Sequence, residues 1–151
     1  MRINHQRWVL CGENLSGVYG GNELLENGVH PNYRGKKVMV IGGGNVAMDC
    51  ARTVNRLGAE KTVVIYRRAE EQMPAEKMEI EDAKNEGVEF LFQNNIVKIL
   101  EEEKVEKLEL IKTELVKKEG EDRKVPVNIE GSNYFISADY VIMALGARSF
   151  R

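Results

Sequence analysis

The amino-acid sequence predicts an α/β fold with a central parallel sheet. A glycine-rich turn, residues 42–47, separates a continuous apolar run from a helical pattern, and a second apolar run follows that helix. After residue 96 the pattern changes to short runs of β-branched and charged residues separated by turns. Strands joined by helices are typical of parallel sheets, and short strands joined by turns are typical of antiparallel hairpins. We therefore expect both kinds of sheet in this chain.

The elements are expected to begin at Lys36, because the first part of the chain looks irregular. Glycines recur at short intervals before about Asn32, and a short helix over 22–27 is the regular element that this segment could form. From Lys36 onward the expected elements are, in order, a strand over 38–41, a helix ending before Gly58, a strand over 62–66, a helix from Pro74 to Asn85 and a strand over 88–92.

The second half of the chain is expected to contain mostly short strands. These lie over 96–100, 105–116, 124–129 and 134–136, and an apolar strand over 140–144 follows them. The acidic run 101–103 is expected to be a solvated turn.

Bulk properties exclude several classes of function. The 151 residues carry a net charge of -2, which gives no cationic field for nucleic acid, and no apolar run approaches the roughly 20 residues of a membrane helix. The N-terminus lacks the hydrophobic core of a signal peptide, so we expect a cytoplasmic protein. The cysteines, Cys11 and Cys50, are far apart, which argues against a zinc or iron–sulfur site.

The glycine turn has the chemistry of a dinucleotide site. Gly42 permits a sharp chain reversal, Gly44 lets a pyrophosphate approach the backbone, and Ala47 keeps the helix close to the sheet. The helix N-terminus then offers free N–H groups and a partial positive charge to the phosphates. The alternative is a tight strand-to-helix turn without a ligand. The cofactor-binding residues predicted here are Gly42, Gly43, Gly44, Asn45, Val46 and Ala47.

The end of the second strand indicates which dinucleotide is bound. An acid at this position would bind the ribose 2′-hydroxyl and repel a 2′-phosphate, but this chain has Arg67 and Arg68. Because a guanidinium can bind phosphate with two parallel hydrogen bonds, these residues predict NADPH. The alternative is that they are exposed and paired with Glu70 and Glu71.

No catalytic residue is predicted. His5 and His30 have no acid or nucleophile partner that the sequence reveals. Asp49 lies one turn into the first helix, where a solvated position and a contact near the cofactor are equally open.

Residues 40–53, with the sequence VIGGGNVAMDCART, resemble the NADPH domain of the glutamate synthase small subunit and its relatives. These relatives include NADPH-dependent ferredoxin oxidoreductase subunits and dihydropyrimidine dehydrogenase. The sequence YRR at 66–68, followed by MPA at 73–75, supports the same family, as does EGVEF at 86–90.

The resemblance also implies a domain organisation. Residues 12–19 resemble the crossover from a flavin domain, and 141–146 resemble the return. We therefore expect a linker or crossover over 1–32, an NADPH-binding domain over 33–146 and the start of the return crossover over 147–151. Gly146 is included among the cofactor-binding residues.

In this family the NADPH domain has helices on one face of the parallel sheet and a small antiparallel sheet on the other, and hydride passes from NADPH to FAD. The resemblance implies an FAD domain, in cis or in trans, and a large synthase or iron–sulfur subunit as partners. The chain departs from the family in having no second glycine-rich unit for FAD and no cysteine-rich segments. It also has Gln72 where thioredoxin-reductase-like relatives carry a further arginine.

The sequence leaves two other functions open. The chain could be a stand-alone nucleotide-responsive interaction module without redox activity, or the glycine turn could bind FAD. The arginines count against FAD, which has no ribose 2′-phosphate.

Overall fold

A computed structural model describes residues 7–10, 17–102, 104–120 and 122–145. The strands in these ranges are β1 (Arg7–Leu10), β2 (Val18–Gly20), β3 (Lys37–Ile41), β4 (Lys61–Tyr66), β5 (Glu89–Phe92), β6 (Asn94–Glu102), β7 (Lys104–Val116), β8 (Val125–Asn128), β9 (Tyr134–Ser137) and β10 (Tyr140–Met143). The helices are α1 (Gly21–Asn27), α2 (Asn45–Arg56) and α3 (Lys77–Asn85). Among the described residues, none of the helices is long and apolar enough to cross a membrane.

The central sheet is parallel, with strand order β2-β10-β3-β4-β5. The chain leaves β3 through α2 to reach β4, and leaves β4 through α3 to reach β5. Strand β10, the last one described, inserts between β2 and β3. Strands β4 and β5 therefore follow β3 on one side, whereas β10 lies on its other side. The crevice at such a reversal, between β10 and β3, is where ligands bind in open α/β sheets.

The helices cover one face of this sheet. Alternate residues of the central strands point to them, including Val38, Val40 and Ile142, which are fully buried. Helix α2 packs Ala47 and Val54 into the same core. Burial on both faces explains why the strands are continuous apolar runs rather than alternating ones.

A second, antiparallel sheet covers the other face. Its strands follow the order β1-β6-β7-β8, and β9 also pairs with β7. Met39, Ile41 and Val63 of the parallel sheet pack against buried side chains of the antiparallel sheet, including Leu108 and Leu110. The predicted fold is therefore confirmed, with helices on one face of the parallel sheet and a small antiparallel sheet on the other.

The expectation that the chain is irregular before about residue 32 is wrong for 7–10 and 18–20, which form β1 and β2. The short helix that the sequence left open over 22–27 is present as α1. Strand β2 pairs with β10, and α1 packs on α2 so closely that a Cβ on Gly21 would lie 3.1 Å from Val46 Cγ1. The glycine that looked like a loop signal thus permits close helix packing. It also helps to enclose Cys50, and burial raises the pKa of this thiol to about 12. The division into 1–32, 33–146 and 147–151 stays a prediction.

Two element boundaries differ from their predicted positions. Helix α3 begins at Lys77 rather than Pro74, because the Ala75 N–H is bonded to Gly43 O at 3.1 Å and Glu76 is extended. Pro74 lies in the bend before the helix. The acidic run expected to form a turn lies partly in a strand, since β6 continues to Glu102.

Candidate functional site

A cleft of about 640 Å³ opens at the carboxyl ends of β3, β4 and β10. The glycine turn forms one wall, the two arginines after β4 form another, and the start of β6 contributes a third. The cleft therefore lies at the crevice between β10 and β3, where the strand order reverses. The lining residues are Ile41, Gly42, Gly43, Gly44, Asn45, Val46, Ile65, Tyr66, Arg67, Arg68, Gln72, Pro74, Asn94, Asn95, Ile96, Arg123, Ala144 and Leu145.

Gly42 and Gly43 are required by packing within the protein. Gly42 has a φ of +140°, and a Cβ there would lie 2.2 Å from Ala144 O. A Cβ on Gly43 would lie 2.6 Å from two ring carbons of Tyr66. These glycines therefore let the turn sit directly against β10 and β4.

Gly44 differs from its two neighbours. A Cβ at this position would have no protein atom within 4 Å, and the residue lines the cleft. Its φ of -92° and ψ of -173° are accessible to any residue, so protein packing does not explain the glycine. A ligand that approaches the backbone here would explain it.

The N-terminus of α2 also faces the cleft. Gly44 caps the helix without a side-chain hydrogen bond, and the first turn contains no acidic residue. The first intrahelical bond runs from Met48 N to Gly44 O at 3.1 Å, so the preceding N–H groups have no partner within the helix. Asn45 and Val46 line the cleft in this first turn, whereas Ala47 is fully buried against the sheet. The helix end is therefore suited to an anion.

Arg67 and Arg68 line the same cleft. Arg67 is exposed and Arg68 is half-exposed. We call residues 67–72, which follow β4, the arginine turn. Thr113 Oγ1 donates to Arg67 O at 2.6 Å, and this bond holds the backbone at the start of the turn. Arg68 Nη1 donates to Lys124 O at 3.1 Å. The structure thus brings the two arginines to the same cavity as the glycine turn.

The alternative in which these arginines pair with Glu70 and Glu71 is not observed. In the described part of the chain, no carboxylate lies within 4.0 Å of either guanidinium. Glu70 pairs instead with Lys84, and both of its oxygens accept from Nζ at 2.8 Å. The positive charge of the arginines is therefore not neutralised by a described acidic residue.

Arg123, which is not among the predicted site residues, reaches the cleft from the connection between β7 and β8. It lies between the strands predicted over 105–116 and 124–129, and nothing in that pattern indicates that it is close to the glycine turn. Tyr66 was also missed as a site residue, and its hydroxyl donates to Gln72 O at 2.9 Å. Burial raises the pKa of Tyr66, while the charges of Arg68, Arg67 and Arg123 act in the opposite direction.

The remaining candidates lie elsewhere. Gly146 and His5 fall outside the described residues. His30 was expected to stand alone, but its Nδ1 lies 2.7 Å from the hydroxyl of Tyr33, away from the cleft lining. Asp49 is exposed and does not line the cleft.

The described lining consists of backbone, amides, apolar groups, one phenol and guanidinium groups. It contains no carboxylate, imidazole or thiol that could serve as a general acid or base. The cleft can therefore bind and orient an elongated anionic molecule, with attractive groups at the α2 N-terminus and at the arginines. Among the described residues, no group of three or more His, Cys, Asp or Glu could hold a metal ion.

Comparison with known sequences gives a consistent set of relatives. A family model described as pyridine nucleotide-disulphide oxidoreductase matches residues 13–151. The glutamate synthase [NADPH] small chain of Halomonas elongata is 35% identical over 147 residues, covering 89% of this chain and 31% of that protein. The NADPH-Fe(3+) oxidoreductase subunit beta of Geobacter sulfurreducens is 38% identical over 131 residues, covering 84% of this chain and 20% of that protein. The chain therefore spans less than a third of the length of these relatives.

Solved structures share the fold. Mycobacterium tuberculosis FprA in complex with NADPH matches with a TM-score of 0.76 and 21% identity, covering 94% of this chain and 47% of that one. Thioredoxin reductase of T. acidophilum matches with a TM-score of 0.63 and 15% identity, covering 92% of this chain and 41% of that one. The arrangement of the two sheets and the helices is thus shared with larger oxidoreductases.

Proposed function

The chain belongs to the pyridine nucleotide-disulphide oxidoreductase family, and on this premise we propose that it is the NADPH-binding portion of a flavin-dependent oxidoreductase. NADPH is part of the names of two relatives, the glutamate synthase [NADPH] small chain and the NADPH-Fe(3+) oxidoreductase subunit beta. The resemblance of the glycine turn to the glutamate synthase small subunit is confirmed by the identity over most of the chain.

The residues present fit NADPH at two places in the cleft. Gly44 offers open backbone beside the positive end of α2, which suits the pyrophosphate. Arg67 and Arg68 offer guanidinium groups beyond β4, which suit the ribose 2′-phosphate. The observation that carries the proposal is that these two features share one cleft while neither arginine is paired with a described acid.

FAD fits the cleft less well than NADPH does. FAD has no 2′-phosphate to neutralise the guanidiniums, and its ribose hydroxyl is ordinarily bound by an acid. No carboxylate lines the cleft in the described residues. We therefore place FAD in another domain, either in the same polypeptide or in a partner.

NADPH, when bound, supplies a hydride, and this chain's residues bind and orient the nucleotide without supplying a proton. The flavin would be the hydride acceptor. The expected partners are an FAD domain and a large synthase or iron–sulfur subunit, and the expected compartment is the cytoplasm.

Replacement of Arg67 by alanine tests the nucleotide assignment. We expect NADPH binding to weaken by about 1.5–3 kcal/mol, because a charge-assisted contact to the 2′-phosphate is lost. NADH binding should change little. Titration calorimetry with both nucleotides measures the difference, and Arg34→Ala, at an exposed position outside the cleft, is the matched control.

Equal weakening of NADPH and NADH binding by Arg67→Ala would contradict the 2′-phosphate assignment.

The alternative, a stand-alone interaction module, predicts a different result. It predicts that NADPH changes the association of the chain with itself or a partner, which sedimentation with and without NADPH measures. An unchanged monomer under both conditions argues against it.

A further inference from the structure

A third arginine lines the cleft from a distant part of the sequence. Arg123 lies in the connection between β7 and β8, where the strands separate after the pair Val116 and Val125. We call the described residues between these strands, 117–120 and 122–124, the β7–β8 hairpin loop. Arg123 is exposed, as is Arg67, so its guanidinium is accessible to a ligand.

The hairpin loop and the strand that leads into it each make one hydrogen bond to the arginine turn. Arg68 Nη1 donates to the carbonyl of Lys124, the residue next to Arg123, at 3.1 Å. Thr113, near the end of β7, donates from Oγ1 to Arg67 O at 2.6 Å. The backbone next to Arg123 is therefore joined to the arginine turn through the Arg68 side chain, and the strand that leads into the loop is joined to it through Thr113.

The three guanidiniums face one region without an opposing charge. Within the described ranges, no carboxylate lies within 4.0 Å of any of them. All three influence the same group, since their charges oppose the burial that raises the pKa of Tyr66. Like charges held near one another repel, and an anion bound among them relieves this repulsion.

We propose that Arg123 is a specificity-determining residue, the third cation of the 2′-phosphate subsite, brought to NADPH by the β7–β8 hairpin loop. The inference rests on the proposed function, because it assigns a further residue to the same nucleotide. Gln72, which also lines the cleft, supports the arginine turn, because its side-chain oxygen accepts from Ala69 N at 3.2 Å.

The test compares nucleotide affinities of the 151-residue chain carrying Arg123→Gln with those of a charge-matched control. Lys118→Gln removes one positive charge from the same hairpin loop at an exposed residue that does not line the cleft. We expect Arg123→Gln to weaken NADPH binding by about tenfold, as the loss of a charge-assisted contact implies, and to leave NADH binding within about twofold. Lys118→Gln should leave the affinities for both nucleotides unchanged.

A smaller probe isolates the subsite from the rest of the nucleotide. Adenosine 2′,5′-bisphosphate carries the 2′-phosphate and adenosine 5′-monophosphate lacks it, so only the former should lose affinity with Arg123→Gln. Arg123→Lys should restore part of this affinity because it retains the charge. The thermal unfolding of each variant, measured in parallel, should match that of the original chain.

The outcomes separate this inference from the proposed function. If Arg67→Ala lowers the preference for NADPH while Arg123→Gln does not, Arg123 is not part of the subsite and the proposed function stands. If neither variant changes that preference, the 2′-phosphate assignment itself is wrong. Equal losses with Arg123→Gln and Lys118→Gln would show a general charge effect and would also overturn the inference.

Discussion

Replacement of Gly44 by alanine should impair nucleotide binding with little effect on folding. A Cβ here meets no protein atom within 4 Å, and the backbone angles are accessible to alanine. The cost to stability is confined to the helix cap, where alanine is less favourable than glycine by about 0.5–1 kcal/mol. The new methyl group would instead occupy the space between the backbone and a bound pyrophosphate.

The expected loss of affinity follows from the contacts that the methyl group prevents. Displacing the pyrophosphate from the α2 N-terminus removes at least one charge-assisted bond to a backbone N–H, worth about 1.5–3 kcal/mol. This corresponds to an increase in Kd of about 10- to 150-fold. Because NADPH and NADH share the pyrophosphate, both should weaken by the same factor. Arg67→Ala should affect only NADPH.

Gly42→Ala is the contrasting substitution in the same turn. Its φ of +140° is strained for alanine, and the Cβ would overlap Ala144 O at 2.2 Å. Backbone strain costs about 1–3 kcal/mol and the overpacking about 1–3 kcal/mol more. The stability loss should therefore be several times that of Gly44→Ala.

Chemical denaturation and calorimetric titration of the two variants measure these effects separately. Binding of both nucleotides to Gly44→Ala with the original affinity would refute the placement of the pyrophosphate at this backbone. A Gly42→Ala variant as stable as the original chain would refute the close approach of the turn to β10. Unequal loss of NADPH and NADH by folded Gly44→Ala would show that the methyl group disturbs the arginines as well.

Two further substitutions test how the fold supports the cleft. Thr113→Val should lower the free energy of unfolding by about 1–3 kcal/mol, because a buried hydroxyl no longer donates to Arg67 O. Chemical denaturation should show a larger loss of stability for this variant than for Thr113→Ser, which keeps the hydroxyl. Hydrogen bonds from Arg56 and Arg52 lower the pKa of Glu86 in the folded state, so its stabilising contribution is present above the unfolded pKa of about 4.5 and is lost as pH falls below it. Urea midpoints measured between pH 7 and pH 3 should therefore fall less steeply for Glu86→Gln, and equal slopes would contradict this role.

The parts of the fold that were predictable from the sequence depend on local patterns. Strand β3, the glycine turn and α2 follow one another without interruption, so apolar runs and helical spacing identify each of them. Strand β2 was missed because three residues are too few to show a period and the glycines around them are typical of loops. Its pairing with β10 depends on residues more than 100 positions away.

The candidate site also contains one residue that local sequence patterns indicate and one that they do not. Arg67 was predictable because it follows a strand at the spacing expected after a glycine turn. Arg123 was not, because its position depends on the pairing of β7 with β8 and on a hydrogen bond from Arg68 to Lys124. Sequence spacing indicates the pair of arginines after β4, whereas the presence of a third arginine at the cleft depends on tertiary contacts.

The composition of the cleft determines which measurements are informative. Its described lining lacks a carboxylate, imidazole or thiol, and the hydroxyl of its phenol, Tyr66, donates to Gln72 O. These residues are therefore suited to selecting and orienting a nucleotide. Substitutions here should therefore act through affinity, and the comparison of NADPH with NADH identifies the part of the nucleotide that each residue contacts. A loss shared by both nucleotides indicates the pyrophosphate and Gly44, and a loss confined to NADPH indicates the 2′-phosphate and the arginines. If Arg123 acts with Arg67 on one phosphate, the loss of affinity in the double variant should differ from the sum of the two single losses, because residues that share a partner are not independent.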